Sequence, residues 1–203
     1  ALRQDARDNQ YDTLYEIWSR ATLPFELGDG EILVAIEDEE RKIDLNRLML
    51  ANGNAPDDRR LEVFQRLLDT LEIDRAVADA VVDWLDNDYT PRAGGAESSH
   101  YLGLPHPYQA KNDLFDTIGE LRLVRGVSSE VFAKLLPFVT VSSSGKVNIN
   151  TAPKEVLMSL SAGTDLAEVG AIDGETADEI IEYRKDHPFT KADDIGNVSP
   201  LLR

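Results

Sequence analysis

The 203-residue sequence contains no cysteine. This absence excludes disulfide bonds, thiolate nucleophiles, cysteine-based zinc sites and iron–sulfur clusters, because each of them needs a cysteine sulfur. The sequence also has no apolar run close to the ~20 residues that span a bilayer, and no signal-peptide pattern at its start. Because the chain opens with Ala1 in a stretch that is not typical of a translation start, we expect an upstream segment to have been removed.

Basic residues are scarce in this chain. It has 21 lysines and arginines against 38 aspartates and glutamates, which gives a formal net charge of -17. This balance argues against nucleic-acid binding, because contacts to phosphate need a basic face. It also argues against binding to an anionic membrane surface. An acidic chain is suited instead to binding Ca2+, or to staying soluble through mutual repulsion.

Sequence signatures of catalysis are sparse. The chain has three histidines, and His100 and His106 lie close to Ser98 without the G-x-S-x-G elbow of a nucleophilic site. We interpret both histidines as solvated or structural side chains. A zinc site or a metal-dependent hydrolase built on this loop remains an alternative, although the spacing of the two is not a recognised ligand pattern. The spacing of a phosphate-binding loop does not occur.

The first 46 residues predict a long helix packed on a small antiparallel sheet. Residues 1–20 have the apolar spacing of a helix, and four of them form its predicted apolar stripe. These are Tyr11, Leu14, Ile17 and Trp18. Residues 31–37 are short, apolar and β-branched, which favours a strand after the Gly28-Asp29-Gly30 turn. Residues 41–45 alternate apolar and polar side chains and are the expected partner strand.

The rest of the chain is predicted to be mostly helical. Apolar spacing predicts helices over residues 61–71, 75–85, 116–121, 129–136, 154–160 and 176–185. Asp74 and Thr151 are the expected N-caps of two of them. Residues 138–141 are predicted to be extended. Residues 87–111 form a long loop rich in glycine and proline, and a loop of this length in a compact domain is usually functional or ligand-stabilised.

Two C-terminal segments, VNINTAP at 147–153 and IIEYRKDHPF, resemble a helix-hairpin-helix unit, which often grips a DNA backbone. That function needs a glycine hairpin and basic neighbours. Here the hairpin is replaced by a longer acidic insert with Asp165, Glu168, Asp173 and Glu175. Because these acids would repel phosphate, we interpret the unit as a scaffold and keep a nucleic-acid-binding module as the alternative.

An acidic motif stands where the helix over 75–85 runs into the long loop. Asp86, Asp88 and Glu97 occupy positions 1, 3 and 12 of a twelve-residue loop, as in an EF-hand, but position 6 is Pro91 instead of glycine. In so acidic a chain this spacing also arises by chance on the order of once. The residues alone therefore leave open both a site for a hard cation and a solvated helix end.

Several segments together resemble one protein family. They follow, in order, the pattern EIWSRA, FELGDGEILVAIEDEERKIDLNRL, DWLDNDYTP, GAE, GELRLVRGVS, LLPFVTV and VNINTAP. This pattern is similar to that of the K-type minor pseudopilins of bacterial type II secretion systems. The resemblance covers nearly the whole chain, and the motifs are specific when taken together.

The resemblance implies an α+β, pilin-like fold: an N-terminal helix on a small antiparallel sheet, with a large, mostly helical insert. It implies a pilin-like part at 1–46, a first helical unit with the long loop at 47–139, and a second, helix-hairpin-helix-like unit at 140–203, with the final pilin strands apparently missing. It further implies a structural subunit and not an enzyme, in the periplasm, anchored in the inner membrane through an upstream helix.

The resemblance also implies partners and a cofactor. The partners are the I- and J-type minor pseudopilins at the tip of the pseudopilus, and we expect the stripe of Tyr11, Leu14, Ile17 and Trp18 to contact them. The cofactor is Ca2+. Matching the acidic motif residue by residue gives Asp86, Asp88 and Glu97 as leading ligands, with Asp83 and Asn112 as lesser candidates.

Overall fold

The computed structural model of the chain describes residues 11–19, 24–51, 53, 55–161 and 171–198. Helices and short strands occur together in these residues, which confirms the α+β class. The helices are α1 (Asp58–Thr70), α2 (Ala76–Leu85), α3 (Ser98–Tyr101), α4 (Ser129–Leu135), α5 (Lys154–Ser159) and α6 (Gly174–Tyr183). The strands are β1 (Phe25–Leu27), β2 (Gly30–Ile32), β3 (Ile43–Asp44) and β4 (Val139–Thr140). Short 3-10 turns cover Ile17–Ser19, Glu39–Arg41, Leu45–Leu48, Ile118–Leu123 and Ala192–Asn197. None of the described helices is long and apolar enough to cross a membrane.

Helices α1 and α2 form where the apolar spacing predicts them. Asp57 starts α1, because its side chain accepts hydrogen bonds from the first free backbone N–H groups, those of Arg59 and Arg60. The apolar residues that recur at helical spacing within α1 are buried, and Phe64 is fully inaccessible to solvent. The predicted N-cap of α2, Asp74, stands one residue too early, because Arg75 occupies the cap position, although Asp74 Oδ1 does accept a hydrogen bond from the Ala76 N–H at 2.9 Å. The two helices pack on each other, and α5 packs on α1.

The predicted N-terminal helix is wrong for the part that the structure describes. Residues 11–16 are not helical, because side chains there bond to nearby backbone groups and compete with helical hydrogen bonding. The backbone N–H of Thr13 donates to Glu16 Oε2 at 2.6 Å, and Ser19 Oγ donates to the Leu14 carbonyl at 2.6 Å. The predicted stripe is consequently not one helical face. Residues 1–10 and 20 lie outside the described part of the chain.

The small sheet predicted near the N-terminus is only partly correct. β1 and β2 form an antiparallel hairpin, and Gly28 in its turn has a φ of +62°, which favours glycine. The predicted strand over 31–37 begins at Gly30 and ends at Ile32. Its predicted partner over 41–45 is wrong, because β3 pairs in parallel with β4 instead. That pairing confirms the extended conformation predicted for 138–141.

One asparagine fastens this strand pair to the end of the long loop. Asn46 Nδ2 donates to the Phe115 carbonyl at 3.0 Å and to the Val141 carbonyl at 2.9 Å. Its Oδ1 accepts a hydrogen bond from the Phe115 N–H at 2.8 Å. The side chain thus provides hydrogen-bond partners for three backbone groups. Burying one such group without a partner lowers the free energy of unfolding by ~1–3 kcal/mol. Asn46 therefore holds the return of the loop against β3 and β4.

The C-terminal helices form as predicted, with different caps. Asp173 starts α6 by accepting a hydrogen bond from the Thr176 N–H at 2.7 Å. Thr151, the predicted N-cap of α5, does not cap it, since Pro153 occupies the cap position. Its hydroxyl instead donates to Asp38 Oδ2 at 2.6 Å and so ties this unit to the N-terminal part. Of the acidic insert, Asp165 and Glu168 lie outside the described residues, whereas Asp173 and Glu175 belong to the start of α6.

Candidate metal centre

The acidic motif forms a cluster where α2 ends. The chain turns sharply after Leu85, and the loop returns to the same place at the start of α3. Asp86, Asp88 and Glu97 each offer one carboxylate oxygen there, and these three oxygens lie within 4.8 Å of one another. The structure therefore brings together the three leading ligands that the sequence predicts.

Two of the three carboxylates are buried, and each has at least one oxygen without a hydrogen-bond partner among the described residues. Glu97 is 2% exposed and Asp86 is 7% exposed, whereas Asp88 faces solvent. Both oxygens of Glu97 and Oδ1 of Asp86 are buried and accept no hydrogen bond from the described residues. A buried carboxylate oxygen without a partner is costly, and a bound cation, a proton or an ordered water would each lower that cost.

The electrostatics of the cluster point the same way. Burial, followed by the nearby charges of Asp86, Asp83 and Asp88, raises the pKa of Glu97 to about 7. Burial and the charge of Asp88 also raise the pKa of Asp86. Like charges at this separation disfavour simultaneous ionisation, and a cation among them would reverse that effect.

Asn112 supplies a further oxygen beside the cluster. Its backbone has a φ of +50°, a left-handed conformation that asparagine tolerates better than most residues. Its Nδ2 donates to the Asp88 carbonyl at 2.6 Å, which fixes the amide. Its Oδ1 is buried and makes no hydrogen bond with a described residue. A buried amide oxygen without a partner, on a side chain bonded to the Asp88 backbone, is a donor of the kind that a hard cation takes.

Asp83, the other lesser candidate, lies outside the three-carboxylate group. It is fully buried, and both of its oxygens accept a hydrogen bond from the Arg92 N–H, at 3.0 and 3.3 Å. Burial raises its pKa to about 6, although the Arg92 hydrogen bond opposes the shift. Asp83 thus binds the loop backbone at Arg92, whereas the other three carboxylates form a separate group.

Sequence reasoning missed the residues that let the loop close on Asp83. A Cβ on Gly95 would lie 1.9 Å from Asp83 Oδ2, so only glycine fits at this position. The Gly94 N–H donates to Asp79 Oδ2 at 3.0 Å, which holds the loop backbone against α2 just before Gly95. The available signal was the Gly94-Gly95 pair itself, since paired glycines often mark a close backbone approach.

An aromatic cluster supports the site from the inside. Trp84 packs edge-on against Tyr101 with ring centroids 5.4 Å apart, and Tyr101 stacks on Tyr108 at 5.2 Å. Tyr101 is fully buried, and its hydroxyl accepts a hydrogen bond from the Arg125 N–H at 3.2 Å. Because Trp84 lies in the last turn of α2 and Tyr101 ends α3, this packing fixes the two helices that Asp86 and Glu97 flank.

The histidines of the loop play no part in the cluster. His100 and His106 are both exposed. Neither belongs to a group of three metal-ligating side chains within the described part of the chain. The geometry therefore gives no support to a hydrolytic site built on these histidines.

The raised pKa values predict an unusual pH dependence for the metal-free protein. The folded pKa of Glu97, about 7, lies above its usual 4.5, so the folded state retains a proton that the unfolded state releases. The stabilisation is present below the unfolded value and is lost as the pH rises through about 7. We expect chelator-treated protein to melt at lower temperature at about pH 8 than at about pH 5.

Glu97→Gln is the control for this pH dependence. Because it removes one titrating group, the melting temperature of the variant should change less with pH than that of the wild type. A wild-type melting temperature that rises over the same interval, or an equal slope in the variant, would contradict the assignment. The measurement is a thermal melt followed by circular dichroism in excess chelator.

Comparisons with known proteins agree with the resemblance of the sequence. A family model described as "Type II secretion system (T2SS), protein K" matches residues 41–144. The Pseudomonas aeruginosa type II secretion system protein K is 35% identical over 95% of this chain and 58% of its own length. The protein of the same name from Pectobacterium carotovorum is 35% identical over 74% of this chain and 49% of its own length. The chain thus spans about half the length of these relatives.

The fold also matches that of a solved structure. A chain in the crystal structure of the GspK–GspI–GspJ complex from enterotoxigenic Escherichia coli superposes with a TM-score of 0.68. The match covers 78% of this chain and 60% of that chain, at 23% sequence identity. At this identity the similarity establishes a common fold.

Proposed function

Because this chain belongs to the type II secretion system protein K family, we propose that it is a minor pseudopilin, a structural subunit at the tip of the secretion pseudopilus. The observation that carries the proposal is the fold shared with a chain of the GspK–GspI–GspJ complex. The relatives named above are type II secretion system proteins, which is consistent with a place in the cell envelope. We propose the periplasm as its location, with an inner-membrane anchor contributed by an upstream helix.

The proposed role at the tip is one of assembly and not of catalysis. The partners we propose are the I- and J-type minor pseudopilins, as in the solved complex. A bulky helical insert would clash with neighbours inside a helical filament, so it suits a terminal position. The alternative, a nucleic-acid-binding module, is disfavoured by the family and by the net charge of -17.

The exposed apolar residues of the N-terminal part support an assembly surface. Ile17 is 76% exposed, and Leu33 is 70% exposed. Every residue of β1 is exposed, so this hairpin presents apolar side chains to solvent. Contiguous exposed apolar patches mark interaction sites, and we propose that these residues belong to one. Of the predicted stripe, Tyr11 and Leu14 are half-buried and Trp18 is buried, which leaves Ile17 as the residue most accessible to a partner.

We also propose that the carboxylate cluster holds Ca2+. Asp86, Asp88 and Glu97 would supply carboxylate oxygens, and Asn112 would supply an amide oxygen. The orphaned oxygens of this group support the fit. Oxygen-only donors suit a hard cation, and a bent loop that supplies many of them suits calcium better than the small, strictly octahedral magnesium ion. The bound ion would supply the positive charge that lets the buried carboxylates stay ionised.

In the proposed site each residue has a distinct part. Glu97 brings the start of α3 to the end of α2, Asn112 ties the returning loop to Asp88, and Asp83 holds the loop backbone from beneath. Filling the site should therefore order residues 87–111 as one unit. The role of the site would be to stabilise the conformation of the helical insert, and it would take part in no reaction.

The assembly role predicts that Ile17→Asp weakens the hetero-complex without unfolding the chain. Burying an aspartate in an apolar contact costs several kcal/mol, so we expect affinity for the I- and J-type partners to fall at least about tenfold. Co-purification of the three proteins followed by size-exclusion chromatography measures the effect. Leu136→Asp is the matched control, since Leu136 is 41% exposed and lies at the end of α4. An equal yield of complex for both variants would show that Ile17 does not contact the partner proteins.

A further inference from the structure

Arg125 forms hydrogen bonds with the chain on both sides of Glu97. Its Nη1 donates to the Gly95 carbonyl at 2.6 Å, and its backbone N–H donates to the Tyr101 hydroxyl at 3.2 Å. Gly95 lies two residues before Glu97, and Tyr101 lies four residues after it. A single residue outside the long loop therefore holds both ends of the short segment that carries a buried carboxylate of the cluster.

The guanidinium of Arg125 has a neutral partner, although the protein is acidic. Among the described residues it forms no ion pair with a carboxylate. A hydrogen bond from a charged donor is stronger than one between neutral groups. Gly95 is buried, and no other described group donates to its carbonyl. Loss of the guanidinium would leave that carbonyl buried without a partner, which is costly.

Side-chain packing does not replace this hydrogen bond where the loop passes Arg125. A cavity of about 550 Å³ is lined there by Ala93 and Gly94 of the loop and by Arg125 and Gly126 of the segment before α4. Because a cavity separates these two stretches of chain, the position of Gly95 depends on the arginine.

The backbone around Arg125 is itself held in place. Val124 and Val127, on either side of it, are buried, and the Val127 N–H donates to the Val124 carbonyl at 3.1 Å. Gly126 has a φ of +83°, and a Cβ there would lie 3.2 Å from Val77 Cγ2, so the segment passes close to α2. From a backbone fixed in this way, Arg125 can determine where the loop lies.

We propose that Arg125 is a positioning residue of the calcium site and that it acts through Glu97. By holding Gly95 and Tyr101, it keeps the Glu97 carboxylate beside the other two carboxylates of the cluster. The inference rests on the proposed calcium site and adds to it a residue that contacts no ion. Residues that orient a metal ligand typically contribute about ten- to a hundredfold to metal affinity.

The first test is Arg125→Met in the whole chain, because methionine keeps an unbranched side chain and removes the hydrogen-bond donors. We expect the calcium dissociation constant, measured by calorimetric titration, to rise about tenfold. Arg125→Lys keeps a charged donor and should recover at least about threefold of that loss. Arg122→Met is the matched control, since Arg122 lies over the Phe132 ring at 3.8 Å. It should lower the melting temperature in chelator and change the dissociation constant less than about twofold.

The second test repeats Arg125→Met in a chain that carries Glu97→Gln. No carboxylate remains at position 97 to be positioned there, so Arg125→Met should raise the calcium dissociation constant by less than about threefold in this background. A merely structural role would weaken calcium binding equally in both backgrounds. Melting temperatures in chelator show whether each variant is folded.

Tyr101→Phe tests the other contact, because it removes the hydroxyl that accepts from the Arg125 N–H and keeps the ring. We expect at least about a threefold rise in the calcium dissociation constant, and this variant carries the test if Arg125→Met does not fold. Wild-type affinity in every folded variant, or an equal loss for Arg125→Met in both backgrounds, would overturn the role of Arg125 and leave the calcium site standing. A wild-type chain that binds no calcium would overturn both.

Discussion

Gly95→Ala is expected to lower the melting temperature of the chain and to weaken calcium binding together. The new methyl group would sit 1.9 Å from Asp83 Oδ2 and 3.1 Å from the Asp79 carbonyl, so the loop must move away from α2. Overpacking of this kind costs ~1–3 kcal/mol. Because Glu97 follows Gly95 by two residues, the same shift would carry its carboxylate out of the cluster, and we expect calcium affinity to fall at least about tenfold.

The matched control for this change is Gly119→Ala. Gly119 is exposed, and a Cβ there would meet only Thr117 Oγ1 at an ordinary 3.6 Å. We expect its stability to stay within ~0.5 kcal/mol of wild type. Thermal melts and calorimetric titration with Ca2+ measure the two effects. If Gly95→Ala binds calcium like wild type, the close contact between the loop and Asp83 does not position Glu97 for calcium binding.

Glu97→Gln is expected to change stability in opposite directions with and without calcium. In chelator near about pH 8 the variant should be more stable than wild type, by roughly 1 kcal/mol, since it removes a buried, unpaired charge from among like charges. In excess calcium it should be less stable than wild type, because the site loses one negative ligand and with it at least about tenfold in affinity.

This crossing of the two stability orders distinguishes a metal ligand from a merely buried acid. A buried acid without a metal role would give a variant that is more stable, or less stable, in both conditions. Glu179→Gln on the exposed side of α6 is the control for the loss of one charge. It should shift both melts equally and by little. Chemical unfolding curves at fixed pH provide the comparison.

The helices of this protein could be predicted from sequence because their information is local. The stripe of α1 repeats at helical spacing, and its buried residues follow that repeat. The strands could not be predicted in the same way. A two-residue strand such as β3 carries too short a pattern, and its partner β4 is 96 residues further along the chain, from Ile43 to Val139. Similarly, the apolar spacing of residues 11–19 does not reveal that Thr13, Glu16 and Ser19 bond locally and prevent a helix there.

The sequence could predict which carboxylates lie together, but not what supports them. The loop spacing and the family resemblance both single out Asp86, Asp88 and Glu97, and the structure brings their oxygens together, while metal binding by them stays a prediction. Asp83 shares their chemistry, and only the structure reveals its bonds to the Arg92 backbone. The role of Gly95 depends on a close approach between a loop and a helix, which no linear pattern encodes.

The proposed calcium site is tested most directly by melting the unmodified chain after chelation, and again after Ca2+ or Mg2+ is restored, with its bound metal determined by elemental analysis. Binding to the folded state alone stabilises it by ~2.7 kcal/mol at a hundredfold excess over the dissociation constant, which is roughly 5–10 °C for a chain of this size. We expect chelation to lower the melting temperature by about this amount, calcium to restore it, and magnesium to restore less. A melting temperature that does not change with chelator, in protein that contains no calcium, would contradict the proposed calcium site. The carboxylates would then be a solvated helix end.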